Sequence, residues 1–178
     1  QQTFNDLVSG LILLVEGSVE VGDIIQVDGL IGKVESINIR TSQIGTRDNV
    51  SILVPNSKLV GENAINWSHT ATPARFQIRV GVSYSSNVDL VTNLLLQAAN
   101  DHPKVLKNPA PHVQFIDFGS SSLDFDLHFF SREYMTIEMV KSDIRYTITR
   151  LFRDNHIEIP FPQRDLWLRN GEVLHRKS

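Results

Sequence analysis

Residues 21–68 form a run of short apolar segments cut at close intervals by turn residues, a pattern that points to a small barrel or a strongly bent β-sheet. Asp28-Gly29 sits between the apolar runs Ile24–Val27 and Leu30–Ile39. Asp-Gly readily takes the positive φ angles of a tight hairpin, so the pair predicts a turn between two antiparallel strands. Ile37 and Ile39 alternate with Ser36, Asn38 and Arg40, the period-2 signature of a strand with one buried face. Arg47-Asp48-Asn49 predicts a second turn before Ile52-Leu53-Val54. Pro55 then ends the ladder, because proline has no N–H to donate. Five such strands with one apolar face predict a barrel or a sharply bent sheet.

The pattern changes near Ala71. Phe76, Ile78, Val80 and Val82 share one face of a half-buried strand. Ser85-Ser86-Asn87 supplies N-cap candidates, and Val88, Val91, Leu94, Leu95, Ala98 and Ala99 recur at helical spacing before Pro103. His112–Phe118 and Leu123–Phe130 alternate as strands around the loop Gly119-Ser120-Ser121-Ser122. A long helix is predicted from Met135 to Asn155, with Ile137, Val140, Ile144, Ile148 and Leu151 on one stripe. With a last strand after Pro162, the order strand–helix–strand–strand–helix–strand is that of a ferredoxin-like α+β sandwich. The most apolar stretch, Leu7 to Val15, is far too short to cross a bilayer. Its second part, Leu11 to Val15, is apolar on every side, which suits a helix buried all round or one lying near lipid.

The string Val-Gly-Asp, Gly-x-Val-x-x-Ile-x-x-Arg-Thr, Asp-Asn, Val-Pro-Asn-Ser-Lys-Leu and Ile-Asn-Trp-Ser, in this order over residues 21–68, resembles the small-conductance mechanosensitive channels of bacteria. Gln-x-x-Phe-Asn-x-x-x-Ser-Gly-Leu-Ile-Leu-Leu before it resembles the cytoplasmic end of that family's pore-lining helix, and Pro-Phe-Pro-Gln-x-Asp after it resembles the family's close. The resemblance covers nearly the whole chain and implies four parts. Residues 1–16 would be the end of the pore-lining transmembrane helix, 17–69 an Sm-like β domain, 70–160 the ferredoxin-like domain and 161–178 a barrel strand with its tail. It further implies that Gln2, Phe4, Leu7, Gly10 and Leu11 belong to the pore-helix end, with Gly10 hosting a bend where the segment turns along the membrane. Gln2 stands where some members carry a hinge glycine, and Glu16 and Glu20 where many carry basic residues. Arg40 would face the membrane, Asn66, Trp67, Ser68 and His69 would rim a side portal, and Phe161, Leu166, Trp167 and Leu168 would enter a seven-stranded parallel barrel. The implied whole is the cytoplasmic vestibule of a homoheptamer in the bacterial inner membrane. It would open under tension and pass ions and small osmolytes in hypoosmotic shock, with lipid as its surroundings and no cofactor. Beginning at Gln1 in mid-pattern, the chain reads as a piece of something longer.

Other function classes find less support. A net charge of −3 runs against nucleic-acid binding, and the Phe-bearing strands carry Asp117, Asp124 and Asp126 in place of basic residues, so a soluble oligomeric RNA-binding module is the weaker alternative. A ligand-sensing cytoplasmic domain of a related channel is the stronger one. With no cysteine there is no thiolate site, and the six histidines make no H-x-x-x-H spacing. Asp124, Asp126 and His128 fall in one row of a strand, read here as the solvated face of a half-buried sheet and not as an acid–base site. The expectation is that the chain is not an enzyme.

Overall fold

The computed structural model describes residues 2–61, 64–68 and 73–166. Helix α1 (Gln2–Glu16) leads into β1 (Ile24–Val27), β2 (Leu30–Ile37), β3 (Thr41–Thr46), β4 (Ser51–Pro55), the short helix α2 (Asn56–Val60) and β5 (Ile65–Asn66). The strands form one antiparallel sheet in the order β4-β3-β2-β1-β5. Asp28 and Gly29 take φ of 50° and 80°, so the predicted hairpin turn is built from two left-handed residues, with Val27 opposite Leu30. Asn49 at φ 57° serves the β3–β4 turn in the same way. An irregularity between Val34 and Ser36 bends β2.

The sheet stays open between β4 and β5, which do not pair, so the barrel alternative resolves as a bent sheet. What closes it is helical: Leu13 of α1 and Leu59 of α2 join Val19, Ile25, Val27, Val34, Ile44 and Val54 in one core. Apolar area leaves water there because helix and sheet meet, and neither could bury it alone.

The second unit comprises β6 (Ala74–Val82), α3 (Val88–Asn100), β7 (His112–Phe118), β8 (Leu123–Ser131) and α4 (Ile137–Asp154). Asn87 caps α3 by accepting from Leu90 N at 3.0 Å, and α3 stops at Asn100, ahead of Pro103. The sheet order is β6-β8-β7, with β8 in the middle and both helices against one face. Phe125, Leu127 and Phe129 of β8 are fully enclosed there against Val91, Leu95, Ile144 and Ile148. The buried stripe of α4 runs Ile137, Val140, Ile144, Ile148, Phe152, so Phe152 takes the place expected of Leu151, which is half-buried at the margin.

Of the closing strand expected after Pro162, residues 163–166 form no ladder within the single chain, and Trp167 onward lie outside the described residues. Residues 157–166 belong to no helix and carry no strand pairing. They are attached by Ile157 N donating to Phe152 O and Ser83 N donating to Glu158 O, both at 2.9 Å, and by Gln163 N donating to Ser121 Oγ at 3.1 Å. Pro160 and Pro162 lack the N–H groups that a ladder along β6 would need.

The row Asp124, Asp126, His128 corrects the solvated-face reading. Asp126 and His128 are each only 4% exposed, because the long side chains of β6 and β7 fold over the central strand. Arg79 donates to both carboxylate oxygens of Asp126, at 3.0 and 3.2 Å, and His128 Nε2 lies 3.1 Å from Gln114 Oε1. The Arg79 hydrogen bond is the main reason the Asp126 carboxyl is held below its ordinary value.

Candidate functional site

Helix α1 presents its faces the wrong way round for a lone globular domain. Its inner face, toward α2 and the β2–β3 turn, holds Asp6, Ser9, Gly10 and Leu13. Ser57 Oγ donates to Asp6 Oδ1 at 2.5 Å. The outer face carries Phe4, Leu7, Val8, Leu11, Leu14 and Val15, between 39% and 77% exposed. These recur at three- and four-residue steps and so make one continuous apolar stripe. A stripe of this size facing water is costly, and such surfaces mark a covering by lipid or protein.

The seam beneath the helix is polar and closely fitted. Asn56, fully buried, donates from Nδ2 to the carbonyls of Asn38 and Ile39 at 2.9 and 3.2 Å and accepts from Ser42 Oγ at 2.8 Å. It thereby satisfies the turn's backbone groups where no strand partner exists. Gly10 rests directly on this cluster. A Cβ there would lie 2.4 Å from Ile39 O and 2.6 Å from Asn56 Nδ2. Helix α1 continues through Gly10, and the close approach of the turn requires a glycine there in this conformation. Sequence reading missed Asn56; its signal was a lone Asn just after the strand-ending Pro55.

Arg40 is exposed at the β2–β3 turn, beside Ile39, which is 71% exposed. Leu14, Ile39 and Arg40 line one shallow depression, so the end of the apolar stripe, an apolar turn residue and a cation share one surface. Gln2 lies in the first turn of α1.

The linker is a seam of another kind. Asn66 Nδ2 donates to Ser18 O at 3.1 Å and to Asp23 Oδ2 at 2.7 Å, while Ser68 Oγ accepts from Ile24 N at 2.8 Å. These bonds fasten the linker to the β domain. Trp67 turns the other way and stacks on Tyr134, just before α4, with ring centroids 5.4 Å apart at 27°. Next to Tyr134, a cleft of about 420 Å³ separates the β domain from the start of α4, with Arg47, Asp48 and Glu138 among its walls. Asn66, Trp67 and Ser68 are thus brought together at the inter-domain boundary. His69 lies outside the described residues.

Phe161 and Leu166 are 81% and 84% exposed on the extended C-terminal segment, and Trp167 and Leu168 lie outside the described residues. Among the described residues no cluster of three or more His, Asp or Glu is set to hold a metal. No described helix is long and apolar enough to cross a membrane. At 15 residues α1 spans about 22 Å, against roughly 30 Å of bilayer core.

Comparison with known proteins gives concordant results. Residues 2–69 match the family model for the mechanosensitive ion channel beta-domain, and residues 76–159 match that for the MscS C-terminal domain. The chain is 39% identical over 170 residues to mechanosensitive channel MscK of Escherichia coli, covering 96% of this chain and 15% of that protein. It is 32% identical to a small-conductance mechanosensitive channel of Helicobacter pylori, covering 94% of this chain and 61% of the relative. The crystal structure of Helicobacter pylori MscS in its closed state superposes with a TM-score of 0.83 at 31% identity, over 94% of this chain and 66% of that one. The chain therefore spans from about a seventh to three-fifths of the curated relatives it matches.

Proposed function

Since the chain belongs to the MscS family of mechanosensitive ion channels, we propose that it is the cytoplasmic vestibule of a tension-gated homoheptameric channel, carried with the last turns of its pore-lining helix. The observation that supports this most directly is α1, seated closely on the β domain through Asp6, Gly10 and Leu13 while its wide apolar stripe faces its surroundings. A pore helix that leaves the membrane and lies on its own domain needs that arrangement. Lipid or neighbouring copies of the helix would cover the stripe from Phe4 to Val15. Exposed Arg40 beside Ile39 would sit against the headgroups, where each cation near an anionic surface contributes about 1 kcal/mol.

Gating follows from differential stabilisation. Tension favours the conformation with the larger in-plane area, and it shifts the equilibrium by as much as the two states differ in their work against it. Ions and small osmolytes would then leave in hypoosmotic shock through the vestibule. Its side portals would lie between the β and α/β domains, with Asn66, Trp67 and Ser68 on the rim and the charges there selecting among permeating ions. Phe161 and Leu166, exposed and unpaired in the single chain, would be covered by the same residues of six neighbours in a closed parallel barrel. The inner membrane is the location consistent with this role, with the present segment on its cytoplasmic side.

The test is a patch recording of the full-length protein in cells that lack their own tension-gated channels. Discrete current steps appearing under suction are expected. Silence under suction, with the protein shown to be in the membrane, overturns the channel reading for this chain.

A further inference from the structure

The outer face of the β6–β8–β7 sheet, turned away from α3 and α4, carries groups that the channel reading leaves unused. His112 and His128 stand directly opposite each other in the β7–β8 ladder, with stacked rings whose centroids are 4.9 Å apart at 23°. His128 is 4% exposed. Its Nε2 faces Gln114 Oε1 at 3.1 Å, and its Nδ1 is enclosed with no hydrogen-bond partner. With an acceptor at Nε2 and none at Nδ1, the stable form is the neutral ring with its proton on Nε2. A second proton has only Nδ1 to go to. It would create a buried N–H donor with no acceptor, and unmade bonds of that kind are expensive.

The electrostatic surroundings push the same way. From β6 the residue opposite His128 is neutral Gln77, with Arg75 nearby and Arg79 one row on. From β7 come His112 and neutral Gln114. From β8 itself comes Asp126, the one group that favours a charged ring, and its carboxylate is already held by Arg79. Burial first, then His112 and Arg75, hold the His128 imidazole below its ordinary value of 6.5.

Strand β7 is the element with least to lose. It lies at the edge of the sheet, bonded to β8 alone, and its residues from Gln114 to Phe118 are exposed. Strand β8, by contrast, is packed on the helices and paired on both sides. Strain at the His112–His128 pair therefore relaxes by lifting β7.

We propose that His128, enclosed by His112 and Gln114, is a proton-operated release for edge strand β7, through which acidification loosens the α/β domain. A ring held neutral by folding contributes stability that is complete above 6.5, the unfolded value, and is lost as pH falls through the lower folded value. The release acts on the weakly acid side of neutrality, where no carboxylate titrates at its ordinary value.

The test uses the full-length protein in detergent micelles and reads the α/β domain without reference to gating, so a silent channel in patch recordings leaves it unaffected. Histidine ring resonances are followed by NMR from pH 8 to about pH 5, and amide exchange along β7 is measured over the same range with the intrinsic pH dependence removed. The expected results are a His128 midpoint below 6.5 and a loss of protection in β7 of about tenfold or more, the effect of one unsatisfied buried donor. Amides of β6 should lose less. In His128→Gln, neutral at every pH, the pH-dependent loss in β7 should disappear. A His128 midpoint at or above 6.5 overturns the proposal, and so does an undiminished acid loss in His128→Gln. Should that variant fail to fold, the wild-type His128 midpoint and the β7-against-β6 contrast decide alone.

Discussion

The two units of this chain solve the same burial problem with different degrees of independence. The α/β domain encloses a long list of large side chains between one sheet face and two of its own helices, and Phe125, Phe129 and Phe152 reside there. The β domain has a smaller core of Val, Ile and Leu, one member of which, Leu13, arrives from α1. Below it the joint is polar, with Asn56 bonding two carbonyls and a hydroxyl under Gly10. The contrast says where force can enter. A displacement of α1 must disturb the β domain's core, whereas the α/β domain has no side chain in that core and meets the β domain where Trp67 stacks on Tyr134.

Paired truncations test this most severely. Phe129→Ala should cost the α/β domain about 3–5 kcal/mol and Leu13→Ala should cost the β domain about 2–5 kcal/mol. Each should lower the melting of its own domain and leave the other within about 0.5 kcal/mol, as expected of sites with no shared partner. Domain-resolved hydrogen exchange reads both. If Leu13→Ala leaves β-domain protection unchanged, α1 is an appendage and the contrast fails.

Gly10 sharpens the same point at smaller size. On propensity alone Gly10→Ala should stabilise a helix by about 1 kcal/mol. Here the added methyl meets Ile39 O and Asn56 Nδ2, so helix or turn must shift, and a net loss of about 1–3 kcal/mol from the β domain is expected. Denaturant melts of the wild type and variant measure it. A more stable variant would mean that the seam is loose and that Gly10 serves flexibility after all.

Much of this was legible in the residues, for identifiable reasons. Asp28-Gly29 called for left-handed backbone and took it, the turn expected at Arg47-Asp48-Asn49 is present, and Asn87 and Pro103 bracketed α3 as caps and breakers do. Helix α4 shows where pattern reading stops. Leu151 and Phe152 are adjacent and both apolar, and only the packing against β8 selects the phenylalanine for the interior. The polar row on β8 failed more deeply. Alternation placed Asp126 and His128 on the outer face correctly, but exposure depends on what the neighbouring strands lay over it, and Arg79 and Gln114 lie far away in sequence. The seam around Asn56 was hidden for the same reason, since its partners are backbone carbonyls that no side-chain pattern marks.

The smallest expected effect bears on the joint between the two units. Trp67 is fastened to the β domain by its backbone N donating to Ile24 O at 2.9 Å, while its ring lies on Tyr134 of the other unit. Trp67→Leu keeps an apolar side chain and the backbone bond but removes the stack, which should cost about 0.5–1.5 kcal/mol beyond the lost area. That energy belongs to neither core, so the variant should leave the stability of each domain nearly intact and reduce only the coupling between them. The readout is cooperativity. Leu13→Ala in the wild-type background should drag α/β-domain exchange slightly through the linker, and the same truncation beside Trp67→Leu should not. An equal response in both backgrounds would show that the units are joined elsewhere, with the cleft beside Tyr134 as the next place to look.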